Sequence, residues 1–84
     1  MIEVAERHAA DGTYGSVTGL RTAYATIRPV PGAYRVRTCR RHAGAILNGS
    51  IRYRVFATYD AALSYALGYA RRISAEKREK EAQS

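Results

Sequence analysis

Between Ala33 and Ala57 apolar and polar residues alternate with a period of two in two separate runs. Tyr34 and Val36 alternate with Arg35 and Arg37, and Ile51, Tyr53 and Val55 alternate with Arg52 and Arg54. A two-residue period marks a strand with one buried and one wet face. The pattern predicts a strand over residues 33–39, running on to Arg40 or Arg41, and a second over residues 50–57. Tyr34, Val36, Ile51, Tyr53 and Val55 are then core, and the wet face carries Arg35, Arg37, Arg52 and Arg54.

After Ala57 the period changes. Tyr59, Ala62, Leu63, Ala66, Ala70 and Ile73 recur at spacings that share one helical face. Thr58 is placed to cap the helix, and Asp60 suits the positive end of its dipole. This face is expected to pack on the apolar side of the two strands. Gly68 costs about 1 kcal/mol in a helix interior, which predicts a close contact there. Beyond Ser74 the run Glu76-Lys77-Arg78-Glu79-Lys80-Glu81 has no apolar stripe. It is expected to be a frayed helix end or a tail.

The first third is less regular. Residues 1–11 fit a short helix with Ile2, Ala5 and Ala9 on one side, or an edge strand through Ile2 and Val4. Asp11-Gly12 ends that element, and residues 12–15 read as loop. In residues 16–30, Val17, Leu20, Tyr24 and Ile27 have helical spacing, while Gly19 and several β-branched residues favour strand. The reading adopted is a strand over residues 23–29. Pro29-Val30-Pro31-Gly32 then forms a tight turn, with both prolines outside the central strands. Asn48-Gly49 signals a hairpin. Residues 45–47 either resume the first strand after a bulge at Gly44 or form a loop exposing Ile46 and Leu47. The expected fold is α+β: a small antiparallel sheet of about three strands packed on one C-terminal helix. It forms a single domain over residues 1–84, ordered over about 16–74.

Charge changes the picture from fold to partner. The chain has 14 Lys and Arg against 7 Asp and Glu, a net charge of +7. The acids are Glu3, Glu6, Asp11, Asp60, Glu76, Glu79 and Glu81, so none lies between Gly12 and Tyr59. That span holds Arg21, Arg28, Arg35, Arg37, Arg40, Arg41, Arg52 and Arg54 and no lysine. A basic block with no internal acids projects a positive field. The arginine fork matches phosphate and carboxylate oxygens in pairs. Arg35, Arg37, Arg40, Arg41, Arg52 and Arg54 are the candidate contacts to an acidic partner or to phosphates. Tyr65, Tyr69 and Arg72 form a second stripe beside the helix core face, of a composition found at interfaces and base-stacking surfaces.

Catalytic signatures are missing from the pattern, and an enzyme is not expected. Cys39 and His42 have half of a zinc spacing, but four ligands are needed and His8 is the one other soft donor. No metal or cofactor is expected. Cys39 has no orienting acid near it in sequence for nucleophilic work. Gly12, Gly15 and Gly19 do not match a phosphate-loop or dinucleotide fingerprint. The single cysteine permits no internal disulfide. No apolar run approaches the roughly 20 residues of a membrane span. The acidic N-terminus lacks a signal-peptide core, and the chain is expected to be soluble and intracellular.

Residues 26–72 resemble the arm-type DNA-binding domain of phage tyrosine integrases. The shared features are Pro31-Gly32 with Tyr34 and Val36, then Asn48-Gly49, then Arg54, Phe56, Thr58 and Asp60-Ala61-Ala62 opening a helix. The resemblance implies a three-stranded sheet that enters the major groove, with Arg35, Arg37, Arg52 and Arg54 facing it. A free-standing basic domain of this size also resembles anti-CRISPR proteins, by size, charge and layout alone. That implies a small phage accessory protein in the cytoplasm of a bacterial host. It would be a non-enzymatic inhibitor, monomeric or homodimeric, that blocks target binding by a nucleoprotein effector complex. The expected partner is an acidic protein surface, a nucleoprotein complex, or nucleic acid directly, with no membrane.

Overall fold

The described residues form six antiparallel strands and one helix. The computed structural model describes residues 2–19, 23–42 and 45–83, without the side chains of His42 and of 74–83. The strands are β1 (Glu3–Ala9), β2 (Gly12–Thr18), β3 (Ala23–Val30), β4 (Ala33–His42), β5 (Ala45–Ile46) and β6 (Arg52–Phe56), followed by α1 (Tyr59–Gln83). β1 to β4 pair in chain order; β6 pairs with the first half of β4 and β5 with its last two residues.

The expectation of about three strands is corrected to six. The additional strands are the short β5 and a hairpin, β1–β2, joined by the turn Ala10-Asp11, with Gly12 opening β2 at φ 139°. Residues 12–15, expected as loop, are strand. Gly15 has a packing role there: a Cβ would lie 2.6 Å from the Tyr59 hydroxyl. Such a hairpin carries little apolar signal, because only Val17 in it is buried.

β3 begins where the sequence placed it, includes Pro29 as expected, and continues to Val30, which was expected in the turn. Pro29 pairs with Tyr34 on β4 but lies beyond the β2 pairing, which ends at Ile27. Its missing N–H is therefore not needed. The turn itself is Pro31-Gly32, with Gly32 at φ 71°. It sets Val30 against Ala33 and fixes the whole β3–β4 register. Residues 45–46 do not resume β4; they fold back on it as β5. Gly44 and Arg21 lie outside the described residues.

α1 covers one face of the sheet. Thr58 caps it, its Oγ1 accepting from the Ala61 N–H at 3.2 Å. Ala62, Ala66, Ala70 and Ile73 are buried against Val17, Ala23, Ala25, Ile27 and Val36. Alanine on the helix lets it approach the sheet closely, so the core is thin. Gly68 is exposed, and a Cβ added there would meet nothing within 4 Å. The close contact expected there is absent, and helical spacing alone turns residue 68 outward. The helix continues to Gln83.

Candidate functional site

The face of the sheet opposite α1 is covered by no described element, and the strand register assembles its residues into rungs. One rung reads Arg7 on β1 with Tyr14 on β2, and, one residue beyond the last β2–β3 pair Gly15–Ile27, Arg28 on β3 with Arg35 on β4 and Val55 on β6. The next reads Ala5, Ser16, Thr26, Arg37 and Tyr53. Small residues floor the second rung, while arginine and tyrosine border it. The result is a concavity of about 450 Å³, lined from Ala5 and Tyr14 at one side to Arg37 and Tyr53 at the other.

Its charge is predominantly positive: Arg7, Arg28, Arg35 and Arg37 line it with a single acid, Glu6, whose carboxylate accepts from the Tyr59 hydroxyl. Arg28 lies directly opposite Arg35, and Arg37 is the next residue along the same face of β4. Like charges directly opposite on a sheet are destabilising. The Nε atoms of Arg35, Arg37 and Arg41 are sealed from solvent with no hydrogen-bond partner. Among the described residues none of these three side chains is in an ion pair with a carboxylate. An unpaired buried donor costs about 1–3 kcal/mol, more when charged.

Tyrosines are interleaved with this charge. The Arg41 guanidinium sits 3.8 Å from the Tyr24 ring centroid, Arg7 sits 4.3 Å from Tyr14, and Arg35 5.2 Å from Tyr53. Ring faces hold the cations in place without neutralising them. Tyr14 donates its hydroxyl to Asp11 Oδ2 at 2.6 Å. That bond holds its pKa above the usual tyrosine value, against the opposing pull of Arg7 and Arg28. Tyr53 is the most open of the three, 56% exposed.

Comparison with known proteins finds no matching family model, no matching curated protein and no matching solved structure. Geometry alone carries the functional reading.

The four arginines expected on one face are split between two. β6 pairs Val36 with Arg54 and Tyr34 with Phe56, so Arg52 and Arg54 lie on the helix side. Tyr53 and Val55, expected in the core, face the open side and are 56% and 62% exposed. Ile51 is exposed as well. The deciding residue is Phe56, whose ring lies 5.2 Å from Tyr65 of α1. Burying Phe56 puts Arg54 on the same side, 5.5 Å from the Tyr65 ring. Arg52 donates instead to the carbonyls of Gly49 and Ile51.

The other candidates are distributed. Arg41 joins the open face through Tyr24, while Arg40 is exposed on the opposite parity. Tyr69 is core, 8% exposed, and its hydroxyl donates to the Cys39 carbonyl at 3.1 Å. Tyr65 is half-buried against Phe56, and Arg72 is exposed 5.8 Å from the Tyr69 ring. Cys39 is fully buried, and the His42 side chain lies outside the described residues. Among the described residues no three His, Cys, Asp or Glu side chains group as a metal site.

Arg7, Arg28, Tyr14, Tyr24 and Tyr53 were not singled out for the open face from sequence. Arg28 was within reach: a two-residue Pro-Gly turn places residues 30 and 33 opposite, hence 28 opposite 35. No described helix is long and apolar enough to cross a membrane.

Proposed function

We propose that the protein is a non-enzymatic binding protein whose open sheet face engages nucleic acid through its phosphates. The observation that carries this is the opposed pair Arg28–Arg35, with Arg37 beside it and no described carboxylate in an ion pair with Arg35 or Arg37. An antiparallel sheet with one wet face is ordinary. A wet face that places like charges opposite each other gives up stability at a surface that an anion would relieve. Arginine forks pair with phosphate oxygens, and exposed tyrosine beside them suits bases. The residues assigned are Arg28, Arg35, Arg37 and Arg41, with Tyr53 and Arg7 at the margins. Arg52 and Arg54 are left out.

A second reading is a phage-type, anti-CRISPR-like inhibitor. It would dock the same face on a nucleoprotein effector complex in a bacterial cytoplasm and block target binding. The exposure of Tyr53 and Val55 at the sheet edge favours it, since aromatic and apolar residues beside arginine characterise protein interfaces.

Pull-down of the tagged protein from bacterial lysate, with and without nuclease, separates the two. Nucleic acid recovered alone and lost on nuclease treatment supports the first reading. A nuclease-resistant protein partner supports the second, and recovery of neither removes both.

A further inference from the structure

The open face spans five paired strands, β1, β2, β3, β4 and β6. At about 4.8 Å between neighbours, that is about 19 Å across. The major groove of duplex DNA is about 12 Å wide and admits a helix or a two-stranded ribbon. This face is too broad to enter it. It is also hollowed by the roughly 450 Å³ concavity rather than ridged. A hollow of that size falls within the range that holds small ligands, far short of a duplex.

We infer that the trough takes single-stranded nucleic acid, its phosphates on Arg28, Arg35 and Arg37 and a base stacked on Tyr53. This rests on the nucleic-acid reading above and names the form of the ligand. Along β4 the candidate phosphate contacts Arg35 and Arg37 are about 6.7 Å apart, two strand residues, so they can serve successive points of one extended strand. Tyr53 pairs directly with Arg37 across the β4–β6 ladder. A base on its ring therefore has an arginine beside it for the adjoining phosphate. Tyr24 and Tyr14 are less suited: guanidinium groups lie over their rings at 3.8 and 4.3 Å, closer than Arg35 lies over the more exposed Tyr53 at 5.2 Å. The concavity between the rungs is floored by Ala5, Ser16 and Thr26, whose small side chains leave room for a sugar–phosphate chain. Stacking tolerates any base, so little sequence preference is expected.

The test is a fluorescence anisotropy titration of the full chain with a labelled mixed-sequence single-stranded oligonucleotide and with the same sequence as duplex, at matched salt. The single strand should bind at least about tenfold more tightly, and Y53A should weaken it by about tenfold while Y53F does not. Tyr53 is more than half exposed, so Y53A keeps the fold, which circular dichroism checks. Duplex binding equal to or tighter than single-strand binding overturns the inference and leaves the nucleic-acid reading standing. Unchanged single-strand affinity in Y53A does the same. Binding to neither form overturns both.

Discussion

Arg28 and Arg35 face each other directly across the β3–β4 ladder, two positive side chains in register on a face that no described element covers. The pairing follows from Pro31-Gly32, because the turn sets the register that opposes them. Arg28→Glu would turn a repulsive pair into an attractive one. It should raise stability by about 0.5 kcal/mol and weaken binding to a polyanion. Urea unfolding reads the first effect. A lower midpoint would show that the opposed arginines cost the fold nothing.

The β4–β6 register predicts unequal costs for two aliphatic residues. Ile27 is 1% exposed beneath α1, whereas Val55 is on the open face. Ile27→Ala should cost about 2–5 kcal/mol. Val55→Thr keeps the β-branch and should cost under about 0.5 kcal/mol. Denaturant melts of the two variants check this. A cost above about 1 kcal/mol for Val55→Thr would return Val55 to the core, where a buried hydroxyl is penalised.

Gly15 and Tyr59 should behave as a coupled pair. Gly15→Ala places a methyl 2.6 Å from the Tyr59 hydroxyl, and the nearest ring carbon is at 3.3 Å. The Tyr59 hydroxyl also donates to Glu6 Oε1 at 2.9 Å. Tyr59→Phe alone should cost about 1 kcal/mol, and Gly15→Ala about 1–3 kcal/mol. The double variant should cost less than the sum, because removing the hydroxyl relieves the clash. Strict additivity in thermal or urea unfolding would mean the two do not touch.

Tyr59 also gives the fold an alkaline limit. Burial first, and then its bond to Glu6, push its pKa up to about 12 from the ordinary 10.0. The unfolded chain therefore releases this proton at lower pH than the folded chain. Stability from Tyr59 is whole below pH 10 and is lost as pH rises toward 12. Tyr69, raised mainly by burial, adds in the same direction. Tyr59→Phe should flatten the fall in stability over that window. An unchanged profile in the variant would place the alkaline loss elsewhere.

How much of this was legible in the sequence depends on where apolar signal was dense. The β3–β4 hairpin and α1 were, since Val36, the turn at Pro31-Gly32 and the Ala62-Ala66-Ala70 spacing each point one way. β1 and β2 were not. Six of the seven residues of β1 are exposed, and β2 contains two glycines that ordinarily mark loops. β6 reads the wrong way round from sequence because Ile51, Tyr53 and Val55 outnumber Phe56 as apolar markers. The strand turns the other way because one phenylalanine against Tyr65 fills the space under α1. That single inversion moved Arg52 and Arg54 off the candidate site and brought Tyr53 onto it. Arg7 and Arg28 joined the face through strand pairings that only the register reveals.

The central claim is that binding resides on the open face and not in net charge. Arg35→Glu and Arg54→Glu change the charge equally but lie on opposite faces of the sheet. The decisive measurement is the affinity of each variant for a single-stranded oligonucleotide across a salt series. The wild-type chain should show log K falling with log salt by about 0.7 per phosphate neutralised. Arg35→Glu should lower affinity at least about tenfold and reduce that slope by about 0.7 or more, while Arg54→Glu should leave the slope unchanged. Equal losses in the two variants, or a larger loss in Arg54→Glu, would contradict the open-face account.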